Sequence, residues 1–344
     1  MFVRTVKLFL TLTNDIQSNT LTLKTLVIPG DDDRFSLCLK RVLESAGSAS
    51  SVEFAMSSGN VAEDMAGGFE ALVLGPGAES ACDLAAGDND IRFVQFTGCR
   101  QSSLAAATLL STGLAVANTG PALAPFVADH TMSLLHQAMV IAKQPSNELS
   151  VLTVGIVGLG NVGIEVARRL REAGASIIYH DVRTAAQGYA NEVGARRHSF
   201  DRLLLNSDVV TLHVSDTPHT IGLIGERELK LMKSGAVLVN TSLAEVLDED
   251  VVLSALESGT LGAAAFGVRG VNPGPLFGHE RAITDIKDAS ESDAALEAVA
   301  AQVIGNLARV ESGEVPSGLM DPVGLPAVGD PAFWTSRLAP RRPA

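Results

Sequence analysis

Aromatic residues are scarce in this chain of 344 residues, with one Trp, two Tyr and twelve Phe, 4% of the total, so its core must be aliphatic. Cysteine is scarcer still. Cys38, Cys82 and Cys99 are odd in number and form neither a CxxC pair nor a metal-ligand spacing, which excludes a disulfide framework and points to a reducing cytosol without a metal site. Cations are outnumbered, 26 Lys and Arg against 39 Asp and Glu for a net charge of −13. No basic cluster can track a phosphate backbone, which argues against nucleic acid as a partner. No apolar run approaches the roughly 18 residues of a membrane span. What remains is 46% hydrophobic and 19% charged, the balance of an ordinary globular chain long enough for two domains.

Near the start, Arg4 and Lys7 precede Leu8-Phe9-Leu10, but threonines interrupt the run and no small-residue cleavage site follows. Residues 1–22 therefore read as a loosely ordered leader. From Lys24 onward, short apolar strands alternate with helical stretches in the manner of an open parallel sheet. The pattern predicts strands over 25–28, 51–54, 71–74 and 91–96, helices over 35–46 and 102–110, and a longer helix over 122–142. Further strands are expected at 151–157, 175–179, 209–213, 236–240 and 263–266, with helices at 226–233, 248–258 and 290–311. Pro316, Pro322, Pro326, Pro331, Pro340 and Pro343 predict an irregular tail, and Trp334 within it is expected to dock on the body or on a partner.

The most informative run is Val-Gly-Ile-Val-Gly-Leu-Gly-Asn-Val-Gly at 154–163. It follows an apolar strand and opens a helix, the setting in which GxGxxG binds a dinucleotide. Gly158 permits the tight turn, Gly160 lets a pyrophosphate approach the backbone, and Gly163 lets helix and strand pack closely. Asn161 and Val162 begin the helix, whose N-terminus faces the anion. Asp181 follows at the end of the next strand, where a carboxylate suits a ribose diol and repels a 2′-phosphate, so NAD is expected over NADP. Arg183, two residues on, pulls the other way.

Several other motifs stand in register with this loop. They include Val127-Ala128-Asp129-His130-Thr131, Asp208-Val209-Val210-Thr211-Leu212-His213-Val214 with Thr217-Pro218, and the run from Leu231 through Asn240-Thr241. In this order they resemble the D-isomer-specific 2-hydroxyacid dehydrogenase family, over about residues 24–314. The resemblance implies an α/β chain of two Rossmann-like, doubly wound parallel-sheet domains with a cleft between them. An NAD-binding domain at 120–308 would be inserted into a substrate domain made of 23–119 and 309–344, in a cytoplasmic homodimer joined through the cofactor domain. It also places His213, Pro218, Thr241, Ser242 and Gly267 near the cofactor.

The family's chemistry rests on an arginine that holds the substrate carboxylate and a His/Glu pair that manages the proton. Counted in register, those positions here are Leu243, Lys287 and Asn272, and the aspartate expected near the nicotinamide amide is Gly267. Leucine cannot replace a guanidinium fork. A lysine facing asparagine rather than glutamate loses the charge that would hold its ammonium protonated, so Lys287 with Asn272 is a coherent acid/base pair; a solvated surface lysine is the plainer account. Arg100, in the loop Thr97-Gly98-Cys99-Arg100, can reach an anionic substrate group or make only a local salt bridge. Cys99 beside it reads as a packing residue lining the substrate site.

Three functions fit these residues. One is an NAD-dependent oxidoreductase with a rebuilt site, passing hydride to or from a carbonyl or alcohol carbon of a small molecule with Lys287 as acid/base. The others are a catalytically silent NAD(H)-binding sensor and an NAD-retaining lyase or isomerase.

Overall fold

In the computed structural model the described residues are 5–6, 23–28, 34, 37–39, 41, 53–57, 59–78, 80–87, 89–98, 103–143, 148–183, 186–215, 217–267, 274–285, 289 and 292–320. The chain divides into two compact units, residues 1–123 with 293–344, and residues 124–292.

The first unit carries a six-stranded sheet in the order β1-β3-β2-β4-β5-β6. Its strands are β1 (Thr5–Val6), β2 (Lys24–Ile28), β3 (Glu53–Met56), β4 (Ala71–Leu74), β5 (Phe93–Phe96) and β6 (Ala115–Ala117). All pairings are parallel except β1, which runs antiparallel along the edge of β3. The sequence pattern ends the third strand at residue 54; pairing of Val27 with Met56 carries it two residues further. Helices α1 (Val61–Met65), α2 (Ala81–Ala85) and α3 (Ser103–Ser111) connect the strands. Leu26, Leu72, Leu74, Val94, Phe96 and Val116 form the apolar core of this unit with Leu109.

The last helix, α10 (Asp293–Glu311), belongs to this unit, so the division falls at Asp293 rather than at 309. The reason is a buried amide network. The side-chain amide of Asn306 donates to Gln95 Oε1 (2.7 Å) and to the Ser317 carbonyl (2.8 Å), and its oxygen accepts from Ser317 N. Gln302 donates to the Asn118 carbonyl (2.9 Å). Buried polar groups must be satisfied, and these are satisfied only with the helix against β5 and β6.

The second unit carries a seven-stranded, wholly parallel sheet, β13-β12-β11-β10-β7-β8-β9. In chain order its strands are β7 (Thr153–Val157), β8 (Ser176–His180), β9 (Arg196–Arg197), β10 (Val209–Leu212), β11 (Ala236–Asn240), β12 (Leu261–Phe266) and β13 (Ala282–Thr284). Helices α4 (Gly120–Ile141), α5 (Asn161–Glu172), α6 (Ala186–Val193), α7 (Phe200–Asn206), α8 (Glu226–Leu231) and α9 (Glu249–Glu257) complete it, α4 entering from the first unit at residue 124. β7, β10 and β11 are buried almost throughout, as strands covered on both faces must be. Strand order reverses direction at β7, between β8 and β10. That switch point is where a doubly wound sheet binds its ligand, at the C-terminal strand ends.

Candidate cofactor and active site

The loop from β7 to α5 is shaped by three glycines. Gly158 sits at φ +90°, and a Cβ there would run into the carbonyl of His213 at the end of β10. A Cβ on Gly163 would collide with the Gly158 carbonyl inside the first turn of α5. Gly160 has room, its nearest neighbour being Arg183 Nη2, 3.4 Å from a built Cβ. So the outer two glycines are fixed by their own fold, and the middle one leaves the backbone approachable. No side chain caps α5, whose N-cap is Gly160, and its first amides are left for an anion. Gly163, Ile164, Val166, Ala167 and Leu170 are buried, Val162 packs half-buried against the same core, and Gly174 at φ +81° closes the helix. There Ala175 N donates to the Leu170 carbonyl and Gly174 N to the Arg171 carbonyl, a Schellman ending.

Asp181 ends β8, 5% exposed, and its carboxylate is fully engaged. Oδ2 accepts from Leu159 N in the glycine loop (2.8 Å) and from Arg183 Nη2 (3.1 Å). Oδ1 accepts from Arg183 N (2.8 Å) and Nε (3.2 Å). Burial pushes this carboxyl up, but the Arg183 hydrogen bonds and charge, with the Leu159 amide, outweigh it and hold it below the ordinary aspartate value. Arg197 donates to the Asp181 carbonyl (2.8 Å). The sequence placed Asp181 and Arg183 side by side; that Arg183 closes over Asp181, and that Leu159 ties the acid to the loop, has no sequence signal.

Across the switch point, the ends of β10 and β11 are joined by hydroxyls and one imidazole. His213 Nε2 lies 2.9 Å from Thr211 Oγ1, and Nδ1 lies 3.2 Å from Thr241 Oγ1, which is 3.0 Å from Thr131 Oγ1 on α4. Thr131 donates to the Val127 carbonyl (2.7 Å). With one proton per hydroxyl two directions are set: Thr241 donates to Thr131, and His213 Nδ1–H to Thr241. Burial pushes His213 down to about 3, so the ring is neutral at neutral pH and its Nε2 accepts from Thr211. Its one remaining N–H, on Nδ1, is held by Thr241. Ser242 donates to the Leu212 carbonyl (2.9 Å) and accepts from Val214 N (2.9 Å), strapping the two strand ends together. The side chains of Thr241 and Ser242 are thus spent on the fold.

Asn240 Nδ2 donates to the Leu243 carbonyl (2.8 Å), and Leu243 begins the turn 244–246 half-buried against the core of Leu212, Leu238 and Val246. Gly267, at the end of β12, donates its N–H to the Asn240 carbonyl (3.0 Å) and abuts His130 of α4. Pro218 is exposed in a loop closed by Thr217 and Thr220 (Oγ1 to Oγ1 3.1 Å). Lys287, Asn272, Cys99, Arg100 and Trp334 lie outside the described residues. No described helix is long and apolar enough to cross a membrane, and among the described residues no group of three His, Cys, Asp or Glu is placed to hold a metal ion.

Residues 127–284 match the sequence model of the D-isomer specific 2-hydroxyacid dehydrogenase NAD binding domain. A glyoxylate reductase of Thermococcus litoralis is 37% identical over 172 residues, covering 49% of this chain and 52% of that protein. The chain thus spans about half the length of the curated relatives it matches. Among solved structures, a glyoxylate reductase from Paecilomyes thermophila (TM-score 0.67, 24% identity) covers 88% of this chain and 99% of its own. The apo D-mandelate dehydrogenase of Rhodotorula graminis (TM-score 0.69, 21% identity) covers the same shares of the two chains and, like the former, speaks to the fold. With the glycine cradle, the acid at the end of β8 and the reversal of strand order at β7 on the same unit, the second unit is an NAD-binding domain of the kind found in D-isomer specific 2-hydroxyacid dehydrogenases.

Proposed function

We propose that the protein is an NAD-dependent oxidoreductase whose substrate is a small carbonyl or alcohol without a carboxylate at the position the family clamps. Three features suit the cofactor: an uncapped helix N-terminus, a glycine cradle that any Cβ would fill at two of its three positions, and a buried acid tied to the loop. NAD, when bound, supplies the hydride acceptor, and its reduced form the donor. The chain's own work is to place the substrate carbon and move one proton. Lys287 is assigned that proton, taking it at Nζ from the substrate hydroxyl during oxidation and returning it during reduction. Asn272, standing where the resemblance expects a glutamate, adds no charge to hold the ammonium. Arg100 and Cys99 are assigned to the substrate side, and the assembly to a cytosolic homodimer through the cofactor domain.

The observation that carries the substrate class is Leu243. It packs into an aliphatic core at the turn after β11, where a guanidinium would be needed to hold a 2-oxo acid by two charge-assisted bonds. Steady-state assays with NADH test this. Glyoxylate, pyruvate and hydroxypyruvate are expected to turn over far below the ordinary range of roughly 1 to 1,000 per second, while a carbonyl compound lacking the carboxylate reaches it. Ordinary rates on any of the three acids would overturn the reading and assign their carboxylate to another cation, such as Arg100.

One observation favours a second reading, a catalytically silent NAD(H)-binding protein. His213, the histidine tied into the β10 and β11 strand ends, is neutral and locked between two threonines. If no carbonyl or alcohol consumes the cofactor while NADH still binds, the silent reading is the better one.

A further inference from the structure

A basic run lies at the far edge of the second sheet: Arg196-Arg197-His198-Ser199, followed by Phe200. It forms and extends β9, the terminal strand of the sheet order. Arg196 pairs with Ile178 and Arg197 with Tyr179, and His198 N donates to the Tyr179 carbonyl (2.8 Å), which carries the ladder one residue further. Ser199 keeps an extended backbone, φ −66° and ψ 157°, before α7 begins at Phe200. Among the described residues this segment is therefore a short extended peptide held by strand pairing on one side only. Two-residue edge strands open at little cost.

Both arginines are exposed, and so is Ser199, whose hydroxyl makes no capping bond to α7. Side chains alternate along an extended backbone, so Ser199 shares a side with Arg197 rather than with Arg196. Arg197 already has a task. Its Nη2 donates to the carbonyl of Asp181 (2.8 Å), the acid at the cofactor end of β8. The next acid along the chain, Asp201, is held by Arg227 of α8 (2.6 Å) and so occupies neither arginine of the run. Two arginines placed two and three residues before an accessible serine, with an apolar residue after it, are a charge pattern that basic-directed serine kinases read.

We propose that Ser199 is a phosphorylation site, and that a phosphoryl group there loosens the adenosine end of the cofactor site by drawing Arg197 off Asp181. In the transfer, Ser199 Oγ attacks the γ-phosphorus of a nucleoside triphosphate brought by the kinase. The new O–P bond replaces the bond to the β-phosphate oxygen, the hydroxyl proton passes to the kinase's base, and the nucleoside diphosphate leaves. The product carries close to two negative charges on three acceptor oxygens. A guanidinium bonds such a dianion more strongly than it bonds a neutral carbonyl. The consequence for affinity rests on the NAD reading of this unit.

Incubating the whole protein with Mg·ATP and cyclic-AMP-dependent protein kinase, then reading intact mass, peptide mapping and a calorimetric NADH titration, tests both parts. One phosphoryl group is expected at residue 199 and none there in Ser199→Ala, which itself should bind NADH as the parent does. The phosphorylated protein should bind NADH roughly fivefold or more weakly. Ser199→Glu should reproduce part of that loss in the parent, and should add nothing to the loss already caused by Arg197→Met. No phosphoryl group at residue 199 of the folded protein overturns the site. Unchanged NADH affinity after full phosphorylation, or a Ser199→Glu effect undiminished by Arg197→Met, overturns the link to Asp181. If the unmodified protein binds no NADH, it is the NAD reading that fails, and the mass result still decides the site.

Discussion

The two halves of the second sheet are built by different means. At β7, α5 and β8 the ligand-facing parts are backbone: Gly158 and Gly163 are held by collisions that any Cβ would cause, and Asp181 is locked by the Leu159 amide of the same loop. At β10, β11 and β12 the parts are side chains drawn from four segments, with Thr131 and His130 from α4 meeting Thr211, His213, Thr241 and Gly267. The first half depends on a short contiguous stretch and tolerates almost no change. The second can be rewritten one side chain at a time.

The contrast breaks most directly at Gly163. Gly163→Ala pushes a methyl into the Gly158 carbonyl, so helix and loop must part. NADH binding should fall below detection in a titration, and the melting temperature should drop by several degrees, in keeping with a cost of roughly 1–3 kcal/mol for enforced backbone strain. A variant that binds NADH normally would show that the loop yields and that the halves do not differ in kind.

Next in size is the chemical half. Lys287→Met should lower turnover on the substrate, once found, by about 10²-fold or more while NADH affinity holds, and Asn272→Glu should move the alkaline limb of the pH profile upward. A rate that survives Lys287→Met, or a profile indifferent to residue 272, returns Lys287 to the surface.

What the sequence made legible follows the same division. The glycine loop, its helix and Asp181 lie within a few turns of one another, and the steric rule that demands each glycine is local, so spacing reveals them. The parallel strands with long apolar runs were equally plain. Short pieces were not: α1, α2, β9 and β13 are two to five residues long and carry too little periodicity to register. The hydroxyl chain through His213 and the meeting of His130 with Gly267 join residues from opposite ends of the domain, and no linear spacing encodes that. The ending of the cofactor unit at residue 292 was hidden for a similar reason, since Asn306 declares its unit through Gln95, far earlier in the chain.

A smaller effect sharpens the comparison through pH. His213 is held neutral in the fold with its value lowered to about 3, while in the unfolded chain it titrates near the ordinary value of about 6.5. The unfolded state therefore takes up a proton first, and the stability this half enjoys at neutral pH is lost progressively as pH falls from about 6.5 toward 3. For a half-buried ring the loss by pH 5 is at most about 2 kcal/mol. His213→Gln, which cannot titrate, should flatten thermal stability between pH 7 and 5 relative to the parent; an unchanged slope would place the sensitivity elsewhere.

The smallest expected effect lies in the backbone half, at its one adjustable side chain. Arg183 is 60% exposed and occupies two of the four acceptor positions on Asp181 with its guanidinium, the other two being held by the amides of Leu159 and of residue 183 itself. A ribose diol must displace those guanidinium bonds to reach the carboxylate, whereas a 2′-phosphate would find the guanidinium beside Gly160 ready to receive it. The acid still sets the sign, because its buried negative charge opposes the phosphate, so NAD(H) should bind more tightly than NADP(H), though by a narrow margin. Arg183→Ala should widen that margin about tenfold, mostly by weakening NADP(H), as expected for loss of one exposed charge-assisted contact to a phosphate. Paired calorimetric titrations with NADH and NADPH decide it. Equal or inverted affinities in the parent would make Arg183 the governing residue, and a variant whose preference narrows instead would show that the guanidinium serves only to hold Asp181 in place.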